Sequence, residues 1–321
     1  YWLKSQLPKY VKNNSHYLIS YKTLDVDIAT GNIHSTGISI NNKNPQNQNV
    51  IGLQGTIDTL SISRLGIYDA IFNKRVNTSN LLLKNPNLNI VLAKPIDEKT
   101  GKQRNPVAFE NIKINNGNIQ IFRHTKQKFL SVNDLNLNVE NLQMTEESVE
   151  KKLPVVFDKY DINGKNFFFR PDNVYAFTAN YVTTKENQMS IKDFALVPLL
   201  SYQNFTKFYP KKRNLFDFKS SEMEFKDIIL KDNKINLTNV RFENPELKMY
   251  TTNVIPSEKK KSFTYDVNLE DVLMNNAKIK ILKPNGTPLF IAENLTMNIN
   301  KFLMNNETAK GNIPFNYDNF K

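Results

Sequence analysis

Residues 111–122 read NIKINNGNIQIF, and residues 271–282, 160 positions on (271 against 111), read DVLMNNAKIKIL. The same offset of 160 relates FLSVNDLNLNVENLQM (129–144) to LFIAENLTMNINKFLM (289–304), and KKLPVVFDKY (151–160) to GNIPFNYDNF (311–320). An Asn-Pro pair recurs one position short of that register, in LKNPNLNI (83–90) and FENPELKM (242–249). Apolar positions agree down the rows: Leu135 with Leu295, Leu137 with Met297, Val139 with Ile299, Met144 with Met304. A fixed period means stacked copies of one unit, each burying its apolar face against its neighbours. The expected divisions are an N-terminal amphipathic helix at 1–15, a β unit at 16–150, a second at 151–310, and the start of a third, cut short, at 311–321.

Inside each unit the period is two. DLNLNVENL sets Leu135, Leu137 and Val139 against Asn136, Asn138 and Glu140, and NLTMNIN, NIQIF, AKIKIL and ELKMY behave alike. Such alternation makes a strand with one apolar and one polar face. IKINNGNIQI reads as a hairpin, with Asn116-Gly117 in a type I′ turn, because both residues accept positive φ. Ala277 stands at the place of Gly117 in the second copy and requires a different turn there. Asn-Pro marks a bulge, a strand start or an edge, since proline cannot donate to a ladder. Helical spacing is confined to WLKSQLPKYVKN (2–13), RLGIYDAIFNK (64–74) and PLLSYQNFTKFY (198–209), the last two at comparable points of successive units. The expected fold is mainly β: an elongated, curved antiparallel sheet built from ~160-residue repeats, with a few short helices. Short helices cannot cover the dry face of so large a sheet. Either a second sheet covers it, or something that is not protein does.

The chain has no cysteine, which excludes disulfides, thiolate metal sites and a cysteine nucleophile. Lys and Arg number 43 against 31 Asp and Glu, a net charge of +12 that favours anionic partners. The basic runs KTGKQR (99–104), KFYPKKR (207–213) and EKKK (258–261) lie beside turn signals and read as solvated loops. The 47 asparagines, with abundant Lys and Ile, fit an AT-rich coding bias, so the N-x-S/T matches at Asn204 and Asn236 read as chance. No stretch reaches the roughly 18 apolar residues of a membrane span.

Chemistry-bearing patterns are sparse. His16, His34 and His124 have no ligand-spaced partner, and Asp25 and Asp27 are the polar half of ordinary alternation. Another carboxylate pair, Glu146/Glu147, carries no motif. Phosphate-binding glycine loops and the nucleophile elbow are absent. No catalytic residue, metal or cofactor is expected. The run KNFFFRPDNVYAFTANY (165–181) interleaves aromatic and basic residues, as single-strand nucleic-acid binders do. It lacks the RNA-recognition motif and alternates as a strand, so it reads as core or groove lining, and no nucleic acid is expected.

LSISRLGIYDAIFNKRVNTSNLLLKNPNLNIVL (60–92) resembles a stretch of the AsmA-like proteins (AsmA/TamB superfamily) of diderm bacteria, especially Bacteroidetes-type members. The segments at 2–40 and 196–228 are similar to further blocks of the same proteins, so the resemblance covers most of the chain. It implies a periplasmic body with a curved, taco-like β-groove. The body would be anchored in the inner membrane through an N-terminal helix that this chain does not include. It further implies binding and bridge-like transfer of phospholipid or another envelope lipid, in outer-membrane biogenesis. Candidate groove-lining residues are the alternating apolar set: Leu88, Ile90, Ile119, Ile121, Leu135, Leu137 and Val139, then Leu247, Met249, Ile279, Ile281, Leu295, Met297 and Ile299. The competing expectation is an envelope scaffold or interaction protein with a closed β core and no ligand.

Overall fold

The computed structural model describes residues 13, 15–66, 76–94, 107–144, 159–185, 187–211, 214–231, 234–252, 266–308 and 316–320. The expected helix at 2–13 (Asn13 apart), most of that at 64–74, and the basic runs at 99–104 and 258–261 lie outside these residues. The fold is mainly β. The chain divides into two units, Tyr1–Lys165 and Asn166–Lys321.

The first unit contains β1 (Tyr17–Ser20), β2 (Thr23–Asp27), β3 (Asn32–Asn42), β4 (Gly52–Ser63), β5 (Val76–Lys84), β6 (Asn87–Val91), β7 (Val107–Phe122) and β8 (Lys128–Met144); the division falls within β9 (Lys159–Phe169). β1 and β2 pair with successive halves of β3, which pairs antiparallel with β4. β4 pairs with both β5 and β6, which are one strand interrupted at Asn85-Pro86. β5 and β6 then run parallel to β7, and β7 pairs antiparallel with β8.

The second unit contains β10 (Tyr175–Lys185), β11 (Gln188–Pro198), a helix α1 (Tyr202–Phe208), β12 (Asn214–Lys231), β13 (Lys234–Glu243), β14 (Glu246–Thr251), β15 (Asp266–Leu282), β16 (Pro288–Met304) and β17 (Asn316–Phe320). The pattern returns: β11 on β12, β12 on β13 and β14 across the Asn244-Pro245 break, both parallel to β15, then β16 and β17 antiparallel.

The sheet is therefore mixed, not antiparallel. Period-two alternation is identical for both directions. The direction is set by the connections at 92–106 and 252–265, each long enough to return the chain to the starting end, as a parallel pair requires.

A second correction concerns IKINNGNIQI. It is no hairpin, because β7 runs straight through it. Ile114 pairs with Leu137 and Gly117 with Leu135, so three steps on β7 match two on β8. The extra residue is Asn116, at φ 53°. Asp134, at φ 49°, supplies the compensating bulge in β8. The same pair recurs in the second unit, with Asn276 and Asn294 both at φ 53°. Ile114 and Ile119 are five apart, an odd spacing that would put them on opposite faces. One left-handed residue resets the alternation and returns both to one face. Asn85 and Asn244 do this at the Asn-Pro breaks, at φ 47° and 49°. Asparagine and aspartate tolerate that region because their short side chains bond locally.

One helix is found among the described residues. Ser201 caps it, accepting from the Asn204 N–H at 3.3 Å. It joins β11 to β12, whereas segment 64–74 joins β4 to β5, so the two do not occupy equivalent points of the repeat.

Candidate functional site: the apolar face of each unit

Directly paired residues share a sheet face, so the register assigns every side chain. In the first unit one row runs Leu53, Ile90, Ile121, Leu130 across β4, β6, β7 and β8. The next runs Gly55, Leu88, Ile119, Val132, and past the bulges come Leu60, Leu83, Ile114, Leu137 and then Ile62, Leu81, Ile112, Val139. Leu135 faces Gly117 between them. All the candidates of this unit thus lie on one face. Leu88, Leu135 and Val139 are buried there and the others half-buried. Asn87, Asn89, Asn118, Gln120, Lys113 and Asn138 take the opposite face by alternation.

The second unit repeats this. Its rows are Phe216, Met249, Ile281, Phe290, then Phe218, Leu247, Ile279, Ala292, then Met223, Phe242, Met274, Met297. Leu295 pairs with Ala277 and Ile299 with Val272 on the same face. The face also carries a file of rings that alternation alone did not connect. Phe169, Phe177, Phe194, Phe218 and Phe242 follow one another at centroid distances of 6.0, 6.1, 6.0 and 6.2 Å. The usable signal was an aromatic at an apolar position of each successive strand. Part of the 165–181 run thus belongs to this surface.

The helix α1 packs on the other side. Its Phe205 is fully buried against Val174 and Leu215, and Tyr202 stacks on Tyr250 at 5.8 Å and donates to the Thr251 carbonyl at 2.7 Å. Leu215 and Tyr250 alternate with Phe216 and Met249, so they point away from the apolar rows. Among the described residues, elements in extensive contact within a unit are hydrogen-bonded neighbours of the sheet.

Asparagine side chains hold the bulges in register. Asn116 Nδ2 donates to Asn85 Oδ1 at 3.0 Å, and Asn85 Nδ2 to Asp58 Oδ2 at 2.8 Å. In the second unit Asn276 donates to Asn244 at 2.7 Å, and Asn244 to Ser221 Oγ at 3.0 Å. Some of the asparagine content is therefore structural, whatever the coding bias.

The remaining polar groups do local work. Asp27 Oδ1 accepts from Ala29 N–H at 3.0 Å and closes the β2–β3 turn. Asp25, His34 and Ser61 are register neighbours on one exposed strand face, with His34 Nδ1 2.9 Å from Ser61 Oγ. In a hydrolytic triad the acid sits at Nδ1 and the serine at Nε2, so the order is wrong for that chemistry. No group of three or more His, Asp or Glu side chains among the described residues could hold a metal ion. Burial raises the phenols of Tyr17, Tyr160 and Tyr202 above their ordinary range. Among the described residues no helix is long and apolar enough to cross a membrane.

Comparison with known protein families finds no family model that matches the chain, and comparison with curated proteins finds no matching sequence.

Proposed function

We propose that the apolar face of each unit is the floor of a groove that holds the acyl chains of phospholipid or another envelope lipid. One observation carries this reading: the apolar rows extend across each sheet, while the one described helix packs on the opposite face. Each buried methylene contributes about 0.8 kcal/mol. Two long acyl chains leaving water therefore gain on the order of 20 kcal/mol gross. Such a groove needs shape and apolar area, and no reacting group. The AsmA-like resemblance favours a curved, taco-like sheet, a periplasmic location, an inner-membrane tie and lipid transfer to the outer membrane. Those further points rest on the resemblance alone.

The test is organic extraction of protein purified without detergent from bacteria, followed by lipid mass spectrometry. Phospholipid above the level carried by a control protein, and lost in folded Leu137→Asp and Met297→Asp variants, is the expected result. A folded, lipid-free protein would instead fit a scaffold whose apolar face is sealed by protein.

A further inference from the structure

At one end of the second unit's sheet lie the end of β11, the start of β12, the end of β14 and the β15–β16 hairpin, and α1 sits there too. Exposed apolar side chains gather at this end. Leu289, Phe290 and Ile291 are 60, 48 and 50% exposed, and Phe208 is 61% exposed. Ile291 alternates with Phe290 and pairs with Lys280, so it stands on the polar face, while Leu289 is the extra residue of the register shift between Phe290 and Pro288. Groove lining does not account for Ile291, nor for Phe208 on α1. The sheet does not need them either, since the polar face elsewhere carries Lys248, Lys278 and Lys280.

The same end is basic. Lys207 lies in the last turn of α1, its Nζ 5.7 Å from the Phe208 ring centroid, Lys211 follows the helix, and Lys283 opens the hairpin turn. Of the acids at this end, Asp172 is engaged by the Val174 and Tyr175 N–H groups at 2.7 and 2.9 Å, and Asp217 stands opposite Lys248 in the row of Lys280 and Ile291. Lys280, in the row of Ile291, forms an ion pair at 3.9 Å with Glu293 one row further in. The corresponding hairpin of the first unit has the same sign: Arg123, Lys126 and Lys128 surround the turn, with Arg123 4.7 Å from the Phe129 ring centroid.

We infer that this end of the second unit docks on an anionic lipid bilayer, inserting Phe208, Leu289 and Ile291 among the headgroups while Lys207, Lys211 and Lys283 meet lipid phosphates. Exposed apolar side chains ringed by lysines match a surface that is apolar beneath and negative above. The site is independent of the acyl-chain groove, because Ile291 and α1, which carries Phe208, lie off the groove face.

The test is flotation of the full chain with phosphatidylcholine vesicles and with phosphatidylcholine–phosphatidylglycerol vesicles. The expected result is binding to the anionic vesicles alone, weakening as salt is raised. Each lysine near the surface contributes about five-fold in partitioning, so Lys207→Glu, Lys211→Glu and Lys283→Glu together lower it by about a hundred-fold or more. Phe208→Ser, Leu289→Ser and Ile291→Ser together also release the protein, with circular dichroism and extracted-lipid content unchanged. A folded protein that ignores anionic vesicles overturns the inference. So does one that loses binding only on charge reversal, which would mark a general polyanion surface such as nucleic acid. No extracted lipid from the unsubstituted protein, with its flotation intact, would count against the groove and leave this docking end standing.

Discussion

Asn116 donates a side-chain hydrogen bond to Asn85 at 3.0 Å, and both residues are left-handed, at φ 53° and 47°. Each sits where its strand would otherwise turn its apolar residues to the wrong side. The bond ties two phase resets on neighbouring strands together, and Asn276 with Asn244 repeats it.

Replacing Asn116 with alanine loses the local polar bonding with which asparagine offsets part of the roughly 1–2 kcal/mol cost of the left-handed region, and removes a hydrogen bond worth about 1 kcal/mol. Asn116→Ala should lower stability by roughly 2–3 kcal/mol in urea unfolding. Asn116→Gly should lose about half of that, because glycine relieves the backbone but not the lost bond.

Gly117 and Ala277 occupy the same place in the two units. A Cβ on Gly117 would lie 2.8 Å from Ile114 Cγ2, while the second unit has unbranched Met274 where Ile114 stands. Gly117→Ala should therefore destabilise by about 1–3 kcal/mol through overpacking. Ile114→Met should recover much of it in a double-mutant cycle. Additive losses would show that the branch is not the obstacle.

Phe205 anchors α1 on the face opposite the proposed groove, and it is fully buried. Phe205→Ala should cost about 3–5 kcal/mol while leaving lipid content unchanged in protein that stays folded. Calorimetry and extraction of the same preparation check both halves.

Tyr175 is raised above the ordinary 10.0, first by burial; a hydrogen bond from the Phe216 N–H lowers it and the Asp172 carboxylate raises it further. Tyr17, Tyr160 and Tyr202 are raised by burial alone. A phenol that holds its proton more tightly when folded stabilises below the unfolded value, and that stability is lost as pH rises through the folded one. Unfolding free energy should therefore fall above pH 10. Phenolate absorbance of the native protein should lag behind that of the denatured chain.

The repeat and the apolar face were legible in the sequence because burial imposes its own periodicity. Leu135, Leu137 and Val139 alternate with Asn136, Asn138 and Glu140, and no other arrangement puts them together. Strand direction was hidden, since Leu88 beside Ile119 in a parallel pair reads no differently from an antiparallel one. The bulge was misread as a turn because Asn-Gly suits both. The distinguishing signal was the odd spacing from Ile114 to Ile119, repeated from Met274 to Ile279 beside an alanine that a type I′ turn would reject. The docking end was missed because Phe208 and Leu289 are far apart in sequence, and only the register of β12, β14, β15 and β16 brings their elements to one end of the sheet.

The most direct test of the acyl-chain groove is photocrosslinking from each face. A photoreactive amino acid would be placed at Leu137 or Met297 on the apolar face, and at Asn138 or Asn298 on the polar face, in separate proteins made in living bacteria. The account predicts phospholipid adducts by mass spectrometry from positions 137 and 297 and none from 138 and 298. Adducts from both faces alike, or from neither in folded protein, would contradict it.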